Sequence, residues 1–312
     1  MILSVSRRTD IPAFYSDWFF NRIKDGFVMI RNPFNNQISK VDISPEVIDC
    51  IVFWTKNPEP MIERLEELKN YNYYFQYTIN PYSRSLEQKC PNKTKSIKTF
   101  IELSQKIGKE KVVWRYDPII LTNKISKDLH YKYFETIAKY LSSYTEKCII
   151  SFLDLYKKVE ENLKNINLNP ITDDNIFEIA FEFKKIADKY NIEIETCSEQ
   201  IDLYKKTGIK HGRCIDAKLI SKIIGGEIEA VEDKGQRAAC GCMASIDIGI
   251  YNTCKHGCLY CYATGNKKLL NKNIKKHDVS SPLLIGQLSE REDVKIKKIK
   301  SFLKKYEGNL FS

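Results

Sequence analysis

The stretch Ile51-Val52-Phe53-Trp54-Thr55-Lys56-Asn57-Pro58 decides the fold. Its first five residues are apolar, aromatic or β-branched, which is typical of a buried strand, and the polar residues and proline that follow end the strand. Longer segments of helical period separate such stretches, so the sequence predicts an α/β protein with helices around a mainly parallel sheet. The other predicted strands lie near Ile2 to Ser6, Tyr73 to Ile79, Val112 to Tyr116, Cys148 to Leu153 and Ile192 to Thr196.

Polar residues follow several of these strands at the point where each one ends. Because the carboxyl ends of parallel strands form the active-site rim of a β/α barrel, we expect the polar residues to converge there. The alternative is that each one only caps the next helix or opens a turn, notably before a proline. The residues that we predict at the rim are Asp10, Lys56, Thr78, Asn80, Arg115 and Asp117.

The composition is that of a globular protein: 312 residues, of which 43% are hydrophobic, 12% aromatic and 29% charged. No apolar stretch is long enough to cross a bilayer, and the opening residues 1–8 lack the order of a secretory signal. We therefore expect a cytoplasmic protein with no membrane partner. In that reducing compartment, clustered cysteines hold metal more often than they form disulfides.

A domain boundary is most plausible between about residues 200 and 235, where the alternating pattern gives way to Gly225-Gly226 and a cysteine-rich segment. We predict a β/α barrel core over residues 1–200. Residues 201–312 would then form a cysteine-rich segment that completes the barrel and a lysine-rich C-terminal tail. The net charge is +10, and the lysine run from Lys295 to Lys305 is either a solvated face or a surface that binds polyanions.

Three of the ten cysteines, Cys254, Cys258 and Cys261, have C-x3-C-x2-C spacing. Three thiolates on one short loop can hold three irons of a [4Fe-4S] cluster and leave the fourth iron open, whereas a closed structural site would supply four ligands. An open iron can bind the amino and carboxylate groups of S-adenosylmethionine (SAM). One electron passed to the sulfonium then releases a 5′-deoxyadenosyl radical.

These three cysteines, with Tyr260 in the aromatic position, resemble the cluster motif of the radical SAM superfamily. In that superfamily the motif usually follows the first strand of a β/α (TIM) barrel, whereas here it follows a late strand-like run from Ile246 to Tyr251. The resemblance implies a partial or permuted (β/α) barrel whose C-terminal cysteine-rich segment binds the cluster. It also implies an enzyme that takes electrons from a donor such as flavodoxin or ferredoxin.

Two further resemblances extend along the chain. The opening Ser6-Arg7-Arg8-Thr9-Asp10-Ile11-Pro12-Ala13-Phe14, together with Cys240-Gly241-Cys242 and the late motif, looks like an uncharacterised family of bacterial proteins. More distantly, Thr55-Lys56, Thr78-Ile79-Asn80 and Asp117-Pro118-Ile119-Ile120 are similar to strand ends of spore photoproduct lyase, a radical SAM enzyme that repairs DNA.

The lyase resemblance implies roles for particular residues. Lys56 and Thr78 would bind the methionyl carboxylate of SAM, and Asp10 would meet its amino group. The Gly-rich strand end that is usual in that family has its nearest counterpart in Ser6-Arg7-Arg8. The substrate that it implies is nucleic acid or a nucleotide.

Four further cysteines, Cys197, Cys214, Cys240 and Cys242, would make a complete ligand set for a second metal centre. Four thiolates leave no open position on the metal, so the centre would serve electron transfer or structure rather than SAM cleavage. It would be either a second [4Fe-4S] cluster or a zinc site, and the remaining alternative is that the four thiols bind no metal. His256 is expected to be an outer-shell donor or to face solvent. A rival to the enzyme is a zinc-stabilised nucleic-acid-binding protein without catalysis, which uses its lysines for phosphate.

Overall fold

The computed structural model describes residues 1–33, 35–237 and 239–304. Lys305, the end of the lysine run, lies outside these ranges, as do residues 306–312. The strands are β1 (Ile2–Val5), β2 (Phe27–Arg31), β3 (Ile38–Asp42), β4 (Cys50–Thr55), β5 (Tyr73–Thr78), β6 (Val112–Ile119), β7 (Lys147–Phe152), β8 (Glu193–Cys197), β9 (Lys210–Gly212), β10 (Ile246–Asp247) and β11 (Val294–Ile296).

The helices that connect and cover these strands differ widely in length. None within the described ranges combines the length and the apolar character that a bilayer-spanning helix needs. They are α1 (Ile11–Phe14), α2 (Ser16–Asp25), α3 (Glu59–Ile62), α4 (Lys93–Ile107), α5 (Lys127–Leu141), α6 (Lys157–Leu163), α7 (Asp173–Lys189), α8 (Tyr204–Thr207), α9 (Ala217–Ile224) and α10 (Lys267–Lys275), with short 3-10 helices at Leu65–Leu68 and Lys109–Lys111.

Eight strands form one sheet in the order β10-β1-β4-β5-β6-β7-β8-β9, and every neighbouring pair is parallel. Six of these strands coincide with the six predicted from the sequence, and helical segments connect β4 to β8 in turn, which confirms the α/β class. β10 and β9 stand at the two ends of the order, so the ladder does not close within the described ranges. A second sheet, in the order β11-β3-β2, was not expected from the sequence.

The two faces of the large sheet bury different partners, because alternate residues of a strand point to opposite sides. On one face, side chains such as Phe53 and Trp114 pack against α2, α4, α5 and α7, where the rings of Phe134 and Phe183 stack 4.0 Å apart. On the other face, Val52 and its neighbours pack against residues from 214–243. The cysteine-rich segment therefore covers one face of the sheet that the first two thirds of the chain build.

The late strand expected between Ile246 and Tyr251 is present in shortened form as β10, which extends the sheet beyond β1. Asp247 joins the two strands: its carboxylate accepts hydrogen bonds from Ser4 Oγ and Ser6 Oγ at 2.6 Å each and from Arg7 N at 2.9 Å. The loop after β10 therefore begins at the carboxyl edge of the sheet. Both β9 and β10 come from beyond the predicted boundary near residue 200, and the division into two domains stays a prediction.

Candidate metal centre and the strand ends around it

The loop of residues 252–263, here called the cysteine loop, follows β10 and carries the C-x3-C-x2-C motif. Asn252 fixes its two ends: the Asn252 N–H donates to Ala263 O at 2.8 Å, and the side-chain oxygen accepts from the N–H groups of Gly265 and Asn266 at 3.1 Å. Asn252 has a φ of 56°, a left-handed conformation that asparagine tolerates better than most residues. Asn252 thus holds the two ends of the loop together.

Electrostatic interactions connect the three thiols of the cysteine loop. Burial, followed by the negative charges of Asp10, Cys261 and Cys258, raises the pKa of Cys254 well above its usual value. Burial, followed by the charge of Cys258, also raises the pKa of Cys261. Thiolates so placed repel one another unless a cation lies between them. The donor set is therefore suited to a positively charged, sulfur-seeking metal group.

Asp10, which follows β1, joins the cysteine loop to the end of β4. Its Oδ1 accepts a hydrogen bond from Thr55 Oγ1 at 2.8 Å, and its Oδ2 accepts one from Lys56 N at 2.7 Å. Oδ2 also lies 2.8 Å from His256 Nε2. Both carboxylate oxygens are thus engaged within the protein, and the contact of Asp10 with the amino group of SAM stays a prediction. His256 is 3% exposed, so it does not face solvent.

Glu87 is a buried carboxylate that the sequence did not single out. It accepts hydrogen bonds from Lys56 Nζ at 2.8 Å, from Lys93 and from the hydroxyl of Tyr260. Burial opposes its ionisation, but the two lysines outweigh burial and lower the pKa of Glu87 to about 2. Its backbone forms an antiparallel bridge with Cys258. Glu87 therefore joins Lys56 to Tyr260 of the cysteine loop, and both are predicted site residues.

Cys90 is the second residue that sequence reasoning missed, because it stands apart from the other cysteines in the chain. Its Sγ lies 3.6 Å from Cys258 Sγ. Glu87, Cys90 and Cys258 each offer a ligand atom, and these atoms lie within 4.8 Å of one another. The hydrogen bond with Cys90 lowers the pKa of Cys258 to about 7 against the effect of burial, and Lys56 adds to this. Cys258 is thus poised to supply the thiolate, the form that binds metal.

Lys56 and Thr78, the two residues predicted for the carboxylate of SAM, end neighbouring strands at the same level. Thr55 of β4 is in register with Tyr77 of β5, and each of the two residues follows directly. Side chains at the same level of adjacent parallel strands point to the same face. The structure therefore brings Lys56 and Thr78 side by side at the carboxyl edge.

Asn80, Asp117 and Arg115 form a hydrogen-bonded chain along that edge. Asn80 Nδ2 donates to Asp117 O at 2.7 Å and lies 3.2 Å from the hydroxyl oxygen of Tyr260, while Asp117 N donates to Asn80 Oδ1 at 2.8 Å. Arg115 Nε donates to the Asp117 carboxylate at 3.1 Å, and Arg115 Nη1 donates to Cys214 Sγ at 2.7 Å. These three predicted rim residues thus connect the cysteine loop to Cys214.

The four remaining predicted ligands, Cys197, Cys214, Cys240 and Cys242, come together beneath this edge and are here called the four-cysteine group. Cys197 Sγ lies 3.1 Å from Cys214 Sγ. The thiol of Cys242 interacts with those of Cys214 and Cys240. Thiol contacts therefore link the four cysteines of this group, and metal binding by them and by the cysteine loop stays a prediction.

Several buried polar atoms near the cysteine loop have no hydrogen-bond partner. Two of them, in the part of the chain that the structure describes, are His256 Nδ1 in the loop and Thr264 Oγ1 directly after it. Two more are Thr9 Oγ1, next to Asp10 in the sequence, and Asn57 Oδ1, next to Lys56. Because buried polar atoms are normally paired, these atoms are available to contact a bound polar group. The thiols and these atoms together fit an iron-sulfur cluster with a small polar cofactor.

The fold and the site define an α/β protein with a parallel sheet and two groups of cysteines at its carboxyl edge. The chain belongs to the family described as a domain of unknown function, DUF1848, whose model matches residues 2–263. No curated protein matches the chain. A solved structure described as a "putative alpha-L-fucosidase" from Bacteroides thetaiotaomicron VPI-5482 is 12% identical over 59% of this chain and 84% of that one, with a TM-score of 0.27, too low to support any conclusion.

Proposed function

We propose that this protein is a radical SAM enzyme in which Cys254, Cys258 and Cys261 hold a [4Fe-4S] cluster with one open iron. When bound, such a cluster supplies the iron that takes the amino and carboxylate groups of SAM and the electron that cleaves SAM to a 5′-deoxyadenosyl radical. The observation that carries the proposal is that one loop supplies three thiols and is joined through Asp10 and Asn80 to the polar ends of β1, β4 and β5.

The proposal includes a permuted, partial (β/α) barrel. In the superfamily that the motif resembles, the cluster loop follows the first strand of the barrel. Here the cysteine loop follows β10, which lies first in the order of the large sheet although it comes late in the chain. The parallel pairing of β10 with β1 supports this interpretation, because it gives the late strand the place of a first strand.

In the proposed mechanism, Lys56 and Thr78 bind the methionyl carboxylate. Burial opposes protonation of Lys56, but Glu87 outweighs burial and raises the pKa of Lys56, so the side chain stays cationic. Glu87 is shared between Lys56 and Lys93, which leaves part of the positive charge of Lys56 for a second anion. A charge-assisted contact of this kind orients a carboxylate firmly.

Asp10, Tyr260 and Asn80 shape the cofactor pocket. Asp10 holds His256 and the backbone of Lys56 in place and thereby fixes the cysteine loop against the strand ends. The hydroxyl of Tyr260 donates to Glu87, and its buried ring lies 5.5 Å from Lys56 Nζ. These contacts make the loop, the lysine and the strand ends one rigid unit, which is what a cofactor needs for a single orientation.

The proposed substrate is nucleic acid or a nucleotide. Three partly exposed tyrosines, Tyr156, Tyr251 and Tyr262, lie near the carboxyl edge. The rings of Tyr156 and Tyr262 are 6.2 Å apart, and the guanidinium of Arg8 lies 5.4 Å from the ring of Tyr251. Exposed aromatic rings with basic neighbours are suited to stack on bases and to contact phosphate.

A zinc-stabilised nucleic-acid-binding protein without catalysis is the second candidate. The four-cysteine group favours it, since four thiolates are the usual ligand set of structural zinc. This candidate gives no role to the three thiols of the cysteine loop or to the unpaired polar atoms around them. We therefore prefer the enzyme.

Anaerobic purification and reconstitution separate the two candidates. The enzyme predicts a brown protein that contains iron and sulfide and cleaves SAM after reduction. A colourless protein with stoichiometric zinc that leaves SAM intact would contradict it. Replacement Cys258→Ala should abolish cleavage, whereas Cys148→Ala, a matched control at a buried cysteine of β7, should retain it.

A further inference from the structure

The four-cysteine group is assembled from three separate parts of the chain. Cys197 ends β8, Cys214 follows β9, and Cys240 and Cys242 flank Gly241 on one turn. Cys214, Cys240 and Cys242 are each at most 8% exposed. Unlike a cysteine that packs alone in a core, these thiols face one another.

Neighbouring residues hold the group in place. The hydroxyl of Tyr74 and Nε2 of Gln76 donate hydrogen bonds to Cys214 O at 2.6 and 3.0 Å. A Cβ atom on Gly212 would lie 2.8 Å from Thr196 O, so glycine permits the close approach of β9 to β8 that brings Cys214 to Cys197. The site is thus built by buried polar side chains and by a close strand contact.

Positive charge is directed at these sulfurs. Arg115 Nη1 lies 2.7 Å from Cys214 Sγ, and the guanidinium of Arg7 interacts with Cys214 and Cys242. A buried guanidinium directed at sulfur stabilises a thiolate rather than a neutral thiol. Thiols that served only as small hydrophobes would not need such a partner. Four cysteines linked by thiol contacts beside a buried guanidinium form a ligand set that a metal group would bind as thiolates.

We propose that Cys197, Cys214, Cys240 and Cys242 ligate a second [4Fe-4S] cluster, closed by four thiolates, which relays single electrons to the cysteine-loop site. This role rests on the proposed function of that site. A reduced flavodoxin or ferredoxin gives up one electron and is oxidised, and the second cluster is reduced by it. The second cluster returns to its oxidised state when the electron passes to the cysteine-loop site, where the reductive cleavage of SAM would consume it.

The hydrogen-bonded chain along the carboxyl edge gives this electron a covalent and hydrogen-bonded route. It runs from Cys214 through Arg115, Asp117 and Asn80 to Tyr260 in the cysteine loop. A purely structural zinc site would make no use of such a connection, and this is why iron-sulfur is preferred over zinc.

Metal analysis and electron paramagnetic resonance of the full chain, reconstituted anaerobically with iron and sulfide, test the second cluster. Wild type should contain about eight irons per chain, from two clusters of about four irons each. Cys258→Ala and Cys214→Ser should each lose about half of this iron, whereas Cys148→Ala should keep all of it. In Cys258→Ala the remaining cluster should be reducible, with a spectrum that SAM does not change.

Two results would overturn the second cluster. The first is a wild-type protein that contains about four irons per chain, with no further loss of iron in Cys214→Ser. The second is reconstituted Cys258→Ala that contains stoichiometric zinc. Neither result contradicts the proposed function of the cysteine-loop site. That function is tested separately, by whether the wild-type protein cleaves SAM. If Cys214→Ser does not fold, Cys240→Ser replaces it in the iron analysis, because Cys240 lies at a turn outside the strands and the same loss of iron is expected.

Discussion

The sulfur atoms of Cys90 and Cys258 lie 3.6 Å apart, although 168 residues separate the two cysteines in the sequence. A fourth thiol so close to the cysteine loop raises a direct question, because a fourth protein ligand would close the iron that SAM must reach. In our account Cys90 is not a ligand. It stabilises the thiolate of Cys258 by a hydrogen bond, as groups next to metal ligands commonly do.

Replacement Cys90→Ala should therefore leave the iron of the cysteine loop in place and SAM cleavage intact. Cys258→Ala, the matched change at the neighbouring sulfur, should lose about four irons and all cleavage. Iron and sulfide analysis with a cleavage assay checks both variants. Equal loss of iron from Cys90→Ala and Cys258→Ala would make Cys90 a ligand and would contradict the open iron.

The lysine pair on Glu87 offers a sharp test of the cofactor contact. Lys56→Met should weaken SAM binding about 10- to 100-fold, since a hydrogen bond to a charged group contributes about 1.5 to 3 kcal/mol, while the iron content stays unchanged. Lys93→Met is the matched control, because Lys93 also binds Glu87 but lies at the start of α4. Equilibrium binding measurements give the affinity of each reconstituted variant for SAM. If the two replacements weaken SAM binding equally, Lys56 has only a structural role.

The sequence predicted the large sheet well and the small sheet not at all. Strands such as β4 and β6 are buried on both faces, so their runs of apolar and aromatic residues are unambiguous. β3, Ile38–Asp42, mixes apolar and polar residues because one face is exposed, and β11 is three residues long. Such short or half-exposed strands are defined by their partners in space.

The same distinction holds for the site. The cysteine spacing and the polar strand ends are local patterns that the sequence shows directly, and the roles of these residues stay predictions. Glu87 and Cys90 carry no local signal, because their importance comes from contacts with residues more than 160 positions away. The stretch Leu86-Glu87-Gln88-Lys89-Cys90 reads as an ordinary polar loop. The pairing of β10 with β1 brings the cysteine loop to Glu87 and Cys90, and this contact is visible only in the structure.

Acid should destabilise the fold through His130, which lies between the hydroxyl of Tyr116 at 2.7 Å and Ile120 O at 2.9 Å. Burial lowers the pKa of His130 from 6.5 to about 4, so the folded protein favours the neutral ring. The stability that this preference contributes is present above pH 6.5 and is lost as the pH falls from about 6.5 towards about 4.

His130→Gln keeps a donor and an acceptor at this position but does not titrate. Between pH 7 and about pH 4.5, wild type should lose about 2 kcal/mol more unfolding free energy than this variant. Urea unfolding of both proteins at the two pH values measures the difference. An equal loss in the two proteins would show that His130 is not the titrating group.

The central claim is an iron that the protein leaves unligated for SAM. The most direct measurement is the electron paramagnetic resonance spectrum of the reduced, reconstituted protein before and after SAM is added. Our account predicts that SAM changes the spectrum of wild type and leaves that of Cys258→Ala unchanged. A wild-type spectrum that is identical with and without SAM would contradict it.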